Sequence, residues 1–310
     1  MIRSMKFKDI EQIKEIDKLC FKAEAKRRTN GIEGYIESSN NASIVCELDN
    51  KIVGYNFIHL WGTFGWFGPF GVHPDYQKKG IGKALIEHTI KMLKEDYKVS
   101  TIGLITMPES SYNVGFYMNM GFTPLKLTLS LKKGFDNLDF SPILNGYSVN
   151  EVNIKSDIDY LNLKNNLKTI SGKVFKGFDS TSELYLIKNK DFGIAFELKV
   201  NNTVHGIAIC HTKSIREEAD KNLQIRLAVI DSSINYKMAI DSIVVACANY
   251  AKDIGYKNIL IDCNTYNLEI CNYLISKHNF KIYHNLVMLI MGNDNPFNSK
   301  GALVLTRLGG

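Results

Sequence analysis

No stretch of the 310 residues is apolar for long enough to span a bilayer, so a membrane helix is not expected. The opening "MIRSMKFKDIEQIKEID" becomes charged too early to read as a secretory signal. The chain also lacks a C-x-x-C pair. Its six cysteines (Cys20, Cys46, Cys210, Cys247, Cys263, Cys271) are scattered, mostly within apolar segments. Buried free thiols in a reducing cytoplasm are the expectation, with no zinc site. A concentrated patch of one charge is missing as well. The net charge of +6 divides evenly, +3 over residues 1–145 and +3 over 146–310, which disfavours a nucleic-acid binder but suits an anionic small molecule. With 45% apolar and 23% charged residues, the chain can bury a core, and its length accommodates two ordinary domains.

The pattern is one of alternating elements. Residues 7–22 read as a helix with Asp9 as candidate cap, because Ile10, Ile13, Ile16 and Leu19 recur at helical spacing. A short helix is expected around 31–38. "ASIVCEL" and "IVGYNFIHLWG" flank Asp49-Asn50 as a hairpin, and "GWFGPFGV" is a third strand. A helix over 81–95, the strand "STIGLITM", a short helix in "SSYNVGFYMNM" and the strand "FTPLKLTLSL" follow. "KKGFDNLDFSPILNGYS" breaks the periodicity. The predicted division is a first domain over 1–130, a linker over 131–145 and a second domain over 146–310.

The second half repeats the plan: a hairpin around Asn201-Asn202, the strand "LQIRLAVID", a helix, the strand "NILIDC", a helix and the strand "FKIYHNLVMLIMG". An offset of 157 places Val72 on Val229 and Ala84 on Asp241. The expected class is α/β with a mixed sheet, built from two tandem copies. "ALVLTRLGG" is expected to add a last strand to one of the sheets.

Chemistry concentrates in "FGVHPDYQKKGIGKALIEH", Phe70 to His88. A helix N-terminus presents unpaired amides and the positive end of the helix dipole, and glycines let a phosphate approach. A P-loop would need Ser or Thr where Ala84 stands, and a dinucleotide fingerprint would need a third glycine. The strand, then V-x-P-x-x-Q-x-x-G-x-G, then a helix resembles the pyrophosphate motif of the GNAT acyltransferase superfamily. "NVGFYMNMGF", Asn113 to Phe122, resembles that superfamily's later N-x-x-x-Y-x-x-x-G-F segment. The resemblance covers about residues 1–130 and extends to the second half only in pattern.

The resemblance implies acetyl-CoA as co-substrate. The backbone of Phe70 and Val72 would pair with its pantetheine arm like an added strand. Gln77, Lys78, Lys79, Gly80, Ile81, Gly82 and Lys83 would hold the pyrophosphate. Asn113 would reach the arm or adenosine, and Phe116 would pack on the cofactor. Tyr117 matches the superfamily's general acid beside the thioester sulfur, and a backbone N–H near Val72 would meet the oxyanion. A thiol titrates near 8.5 and a phenol near 10, so a placed phenol can serve the departing sulfur. A tyrosine on an apolar helix face is otherwise ordinary core.

The match has gaps. "FIHLWGTFGWFGPFGV" carries no acid, so the usual carboxylate base is missing. His59, Glu33, Glu37 and Glu109 are alternatives, each also readable as structural or solvated, and His73 reads as solvent-facing. Trp61, Phe64, Trp66, Phe67 and Phe70 read as a packed face or interdomain seam more readily than as an acceptor pocket. In the second half, Gln77, Gly80 and Gly82 correspond to Ile234, Lys237 and Ala239, and Ile275 stands opposite Tyr117. That half is therefore expected to have lost cofactor binding and to buttress the first, shape the acceptor cleft or dimerise.

The leading expectation is a cytoplasmic N-acetyltransferase acting by direct attack on a small primary amine, with no acyl-enzyme, no metal and no membrane or nucleic-acid partner. The alternatives are a non-catalytic acyl-CoA sensor and an acetylase of protein or tRNA, for which Lys26-Arg27-Arg28 is a small basic candidate.

Overall fold

The computed structural model describes residues 1–134, 146–217 and 221–309. Most of the expected linker, 135–145, lies outside the described residues. The first half runs β1 (Ile2–Ser4), α1 (Ile10–Phe21), α2 (Thr29–Ser38), β2 (Ile44–Leu48), β3 (Lys51–Trp61), β4 (Phe64–Val72), α3 (Ile81–Glu95), β5 (Thr101–Thr106), α4 (Ser111–Asn119) and β6 (Thr123–Gly134). The second runs β7 (Tyr147–Glu151), α5 (Asp157–Ser171), α6 (Leu184–Asn189), β8 (Gly193–Val200), β9 (Thr203–His211), β10 (Asn222–Asp231), α7 (Tyr236–Asp253), β11 (Asn258–Asn264), α8 (Leu268–Ser276), β12 (Lys281–Met291) and β13 (Ala302–Thr306).

Local chemistry accounts for the hairpins. Asp49 and Asn50 have φ of 48° and 61°, and Asn201 and Asn202 have 48° and 67°. These residues tolerate the left-handed conformation that a tight hairpin turn demands. Asp9 departs from expectation. Its carboxylate accepts from the Lys6 amide at 2.8 Å and from the Arg3 guanidinium at 2.7 and 2.9 Å, and it makes no side-chain cap on α1. A charged partner outcompetes a neutral helix amide for the same oxygens.

All strands join one mixed sheet in the order β1-β2-β3-β4-β5-β12-β6-β11-β10-β9-β8-β7, with β13 pairing β10. The halves exchange strands. β12, from the second half, lies between β5 and β6, and β6, from the first, pairs β11. One face is covered by α3 and α4, with Leu85 and Ile86 of α3 packed among Val53 and Leu104, and by α7 and α8 over Ala228, Ile230 and Ile261. On the other face α1 and α2 cover Tyr55 and Phe57, α5 covers β9 and β10, and Phe175 and Phe178 beyond α5 pack on Trp61 and Phe64.

That second face is the seam. Trp61, Phe64 and Trp66 are fully buried, with Phe178 centred 5.6 Å from Trp61 and 6.4 Å from Phe64. Removing such side chains from water stabilises the seam by about 2 kcal/mol each. Polar links fix its alignment: the Thr63 amide donates to Gly177 O at 2.9 Å and the Arg28 amide to Ile215 O at 2.8 Å.

Because each half completes the other's sheet, the full chain should unfold in one cooperative thermal transition, monitored by circular dichroism. Two resolved transitions would contradict the exchange.

Candidate functional site

β4 hydrogen-bonds β5 in parallel only where Phe64, Gly65 and Trp66 face Thr101, Ile102 and Gly103. Past Trp66 the strands diverge, and β5 takes β12 on its far side. The His73 amide donates to Val53 O at 2.9 Å, in register with Val72 opposite Gly54. Antiparallel alternation then turns the backbone N–H and C=O of Phe70 and Val72 away from β3, into the opening. The Val72 carbonyl accepts from Cys20 Sγ at 3.1 Å and from Gln77 Nε2 at 3.0 Å, so the Gln77 side chain turns back onto the strand.

The opening leads to the N-terminus of α3. Gly80, at φ 80°, is its N-cap and no side chain caps it. A Cβ on Gly82 would lie 3.3 Å from Phe70 Cζ, so any other residue would press the Phe70 ring aside by a few tenths of an ångström. Ile81 is buried in the core beside Leu85 and offers only its backbone. Lys78 and Lys79 are exposed, and Lys83 leans towards Glu87 at 3.8 Å.

Tyr117 stands across from this edge. Its ring lies 6.1 Å from Phe67, the first residue beyond the β4–β5 pairing, and 5.2 Å from Phe116. It is 8% exposed, and burial pushes its phenol above the usual tyrosine range. Asn113 and Phe116 are half-buried on the same helix, α4. Tyr112 was not singled out in the sequence. It is 77% exposed and stacks nearly parallel to Phe116, with 6.4 Å between centroids.

The second half closes both features. β13 pairs antiparallel with Leu227–Asp231, past the point where β10 leaves β11. Under the offset of 157, Leu227 and Val229 are the counterparts of Phe70 and Val72. The helix that follows, α7, is capped by its own chain: Asn235 Oδ1 accepts from the Lys237 and Met238 amides at 3.0 and 3.2 Å. The terminal strand expected from "ALVLTRLGG" thus fills the second half's slot.

The alternative base residues scatter. Glu33 and Glu37 both bind Lys190, at 3.1 and 2.8 Å, and so fasten α2 to α6. Glu109 is exposed in a turn, and His73 is half-buried with its Nδ1 accepting from the Asp75 amide. His59 stacks on Trp66, 3.6 Å between centroids, with Nε2 3.3 Å from Gly68 O. Burial, reinforced by Arg226, holds His59 well below the usual imidazole range, so it is neutral.

Sequence reasoning missed what the second half contributes here. Glu183 accepts from Trp61 Nε1 at 3.0 Å and from Arg226 Nε at 3.0 Å, and the Arg226 guanidinium lies 5.3 Å over the Trp66 ring. Arg216 reaches the fully buried Asp17 of α1 at 2.7 Å, where Arg27 Nε and the Tyr55 hydroxyl also bind, each at 2.7 Å. These partners are 122 to 199 residues apart in three of the pairings, and no local pattern announces them. Cys20, beside Val72, is pushed up to about 11 by burial and remains a thiol.

An open strand edge thus lies beside an uncapped, glycine-flanked helix N-terminus. Residues 10–122 match the acetyltransferase (GNAT) family model. An N-alpha-acetyltransferase of Sulfurisphaera tokodaii is 26% identical over 138 residues, spanning 41% of this chain and 81% of that protein. Two solved structures match nearly the whole chain. A proposed acetyltransferase of Pyrococcus horikoshii is 19% identical at TM-score 0.67, covering 98% of this chain and 94% of that one. A tandem GNAT protein from the clavulanic acid biosynthesis pathway is 12% identical at TM-score 0.63, covering 95% and 99%. The fold is therefore that of a tandem GNAT protein. Among the described residues no helix is long and apolar enough to cross a membrane, and no cluster of His, Cys, Asp or Glu could hold a metal.

Glu183→Gln leaves Arg226 buried without a counter-charge. It should cost about 3 kcal/mol in urea unfolding, and an unchanged midpoint would show that Glu183 is dispensable to the seam.

Proposed function

We propose that the first half transfers an acetyl group from acetyl-CoA to the amine of a small molecule, by direct attack with both substrates bound. The observation that carries this reading is the contrast between halves. One duplicated edge is filled by β13, and its counterpart at Phe70 and Val72 faces an opening beside an uncapped helix. Buried backbone donors and acceptors need partners, and an amide-rich pantetheine arm supplies them.

In this reading the Phe70 and Val72 backbone pairs with the arm. The amides of Ile81, Gly82 and Lys83 bind the pyrophosphate, with Gln77 and Gly80 shaping the turn and Lys78 and Lys79 adding positive field. Asn113 and Phe116 flank the arm on α4. The Tyr117 hydroxyl donates to the departing sulfur. His59, neutral under its aromatic stack, positions the Gly68 carbonyl of β4.

The small-molecule acceptor follows from coverage. The face of the first half that carries Trp61, Phe64 and Trp66 is packed against the second half, which leaves little room for a folded protein substrate. The curated relative's name specifies an α-amino group, and an amino acid offers one as well as a protein does. The division at 131–145 belongs to the same proposal, with the second half supporting the first.

Tyr117→Phe should lower kcat about a hundredfold or more while acetyl-CoA affinity by calorimetry changes less than about twofold. Equal loss in both would make Tyr117 a packing residue. Because burial raises the Tyr117 phenol, its proton-donating form persists at higher pH. The kcat profile should therefore show no falling limb from this group below about pH 10. A limb near pH 8 to 9 that disappears in Tyr117→Phe would contradict the placement.

A further inference from the structure

A cavity of about 300 Å³ lies on the seam, where Ser214, Ile215 and Arg216 meet Arg27 and Arg28 of the loop between α1 and α2. Its wall carries five cations, Arg27, Lys213, Arg216, Arg226 and Arg307, and among the described lining residues Asp262 is the only carboxylate. Asp17, Glu183 and Asp191 offset part of this charge from outside the cavity. Arg307 is the loosest of the five, since its Nε stands 3.9 Å from Asp262. His211 also lines the cavity, 5% exposed, and its Nε2 has no hydrogen-bond partner. An orphaned buried nitrogen costs about 1–3 kcal/mol, so His211 holds its place beside the cavity at a cost. Burial and Arg226 lower His211 to about 3, which leaves a neutral ring able to donate from Nε2 without adding charge.

The cavity wall reaches β4 and β5 of the first half. The Arg226 guanidinium lies over Trp66, the last β4 residue paired with β5. Arg226 Nη1 also holds the Gly309 carbonyl at 2.8 Å, and a Cβ on Gly309 would sit 2.9 Å from Ile105 of β5. β13 leads directly into this segment. The strand that fills the second half's slot thus carries Arg307 to the acceptor face of the first.

We propose that this cavity binds an anionic group, carboxylate or phosphate, on the acceptor, so that the acceptor is a small amine bearing a negative charge. The assignment rests on the acetyl-transfer reading above. Arg307 contacts the anion, and Arg27, Arg216 and Lys213 supply the field. The volume suits an amino acid or a small phosphorylated amine and falls at the low end for ligand sites.

The chain's two tryptophans, Trp61 and Trp66, both lie beside the Arg226–Glu183 pair, so intrinsic fluorescence reports on the cavity. The wild-type chain is titrated with matched pairs: amino acids against their amides, and amino-sugar phosphates against the free amino sugars. The same amines are then assayed for CoA thiol release from acetyl-CoA. The expected result is a saturable fluorescence change with a charged member and none with its neutral mate. It should weaken about tenfold in Arg307→Gln and be restored in Arg307→Lys, with kcat/KM favouring the charged member about tenfold or more. The pair that responds distinguishes carboxylate from phosphate. Equal turnover of both members with no fluorescence response would overturn the proposal and leave acetyl transfer standing. A saturable response with no thiol release from any amine would overturn acetyl transfer, and the acceptor assignment with it.

Discussion

The structure turns on the parting of β4 from β5 after Trp66. A strand edge inside a protein cannot stay unpaired without cost, because each backbone donor or acceptor removed from water must find another partner. The duplicated halves meet this demand differently. In the second, β13 supplies the missing hydrogen bonds and Asn235 caps the helix that follows. In the first, the edge at Phe70 and Val72 opens towards the uncapped start of α3, where Gly80 and Gly82 keep the approach clear. Substrate binding, in the proposed function, is the first half's version of strand pairing.

The filled slot of the second half bears on the surroundings of the first. With β13 settled in its slot, the second half directs Arg307 and Gly309 to the seam, where Arg226 holds their carbonyls. The exchange of β6 and β12 makes this arrangement stiff. Neither half has a complete sheet alone, and the seam is stitched by Trp61–Glu183–Arg226 and by Asp17–Arg216. Buried ion pairs of this kind contribute more to fixing one alignment than to net stability. The seam is thereby built from both halves.

Much of this was legible in the sequence for definite reasons. The Asp49-Asn50 and Asn201-Asn202 turns, the α3 and α7 periodicities and the glycines at 80 and 82 are local signals, readable within a few residues. The closed slot of the second half was foreshadowed by Ile234, Lys237 and Ala239 standing where Gln77, Gly80 and Gly82 stand in the first. The strand exchange was not legible. β12 is apolar on both faces over Leu286–Met291, and the alternation of Leu125, Leu127, Leu129 and Leu131 in β6 fixes its faces but not its neighbours. β1, three residues long, offers no periodicity to detect. Arg216, Arg226 and Glu183 look like ordinary surface charges until the fold brings them to Asp17 and Trp61. Asp9 was misread because Arg3, six residues away, was not weighed as a competitor for its carboxylate.

The most direct measurement is amide hydrogen exchange with and without acetyl-CoA, followed by mass spectrometry. The account predicts that acetyl-CoA slows exchange across Phe70–Lys83. It also predicts that Leu227–Asp231, already paired with β13, exchanges slowly from the outset and does not change. Unaltered exchange at Phe70–Lys83, or new protection confined to Leu227–Asp231, would contradict it.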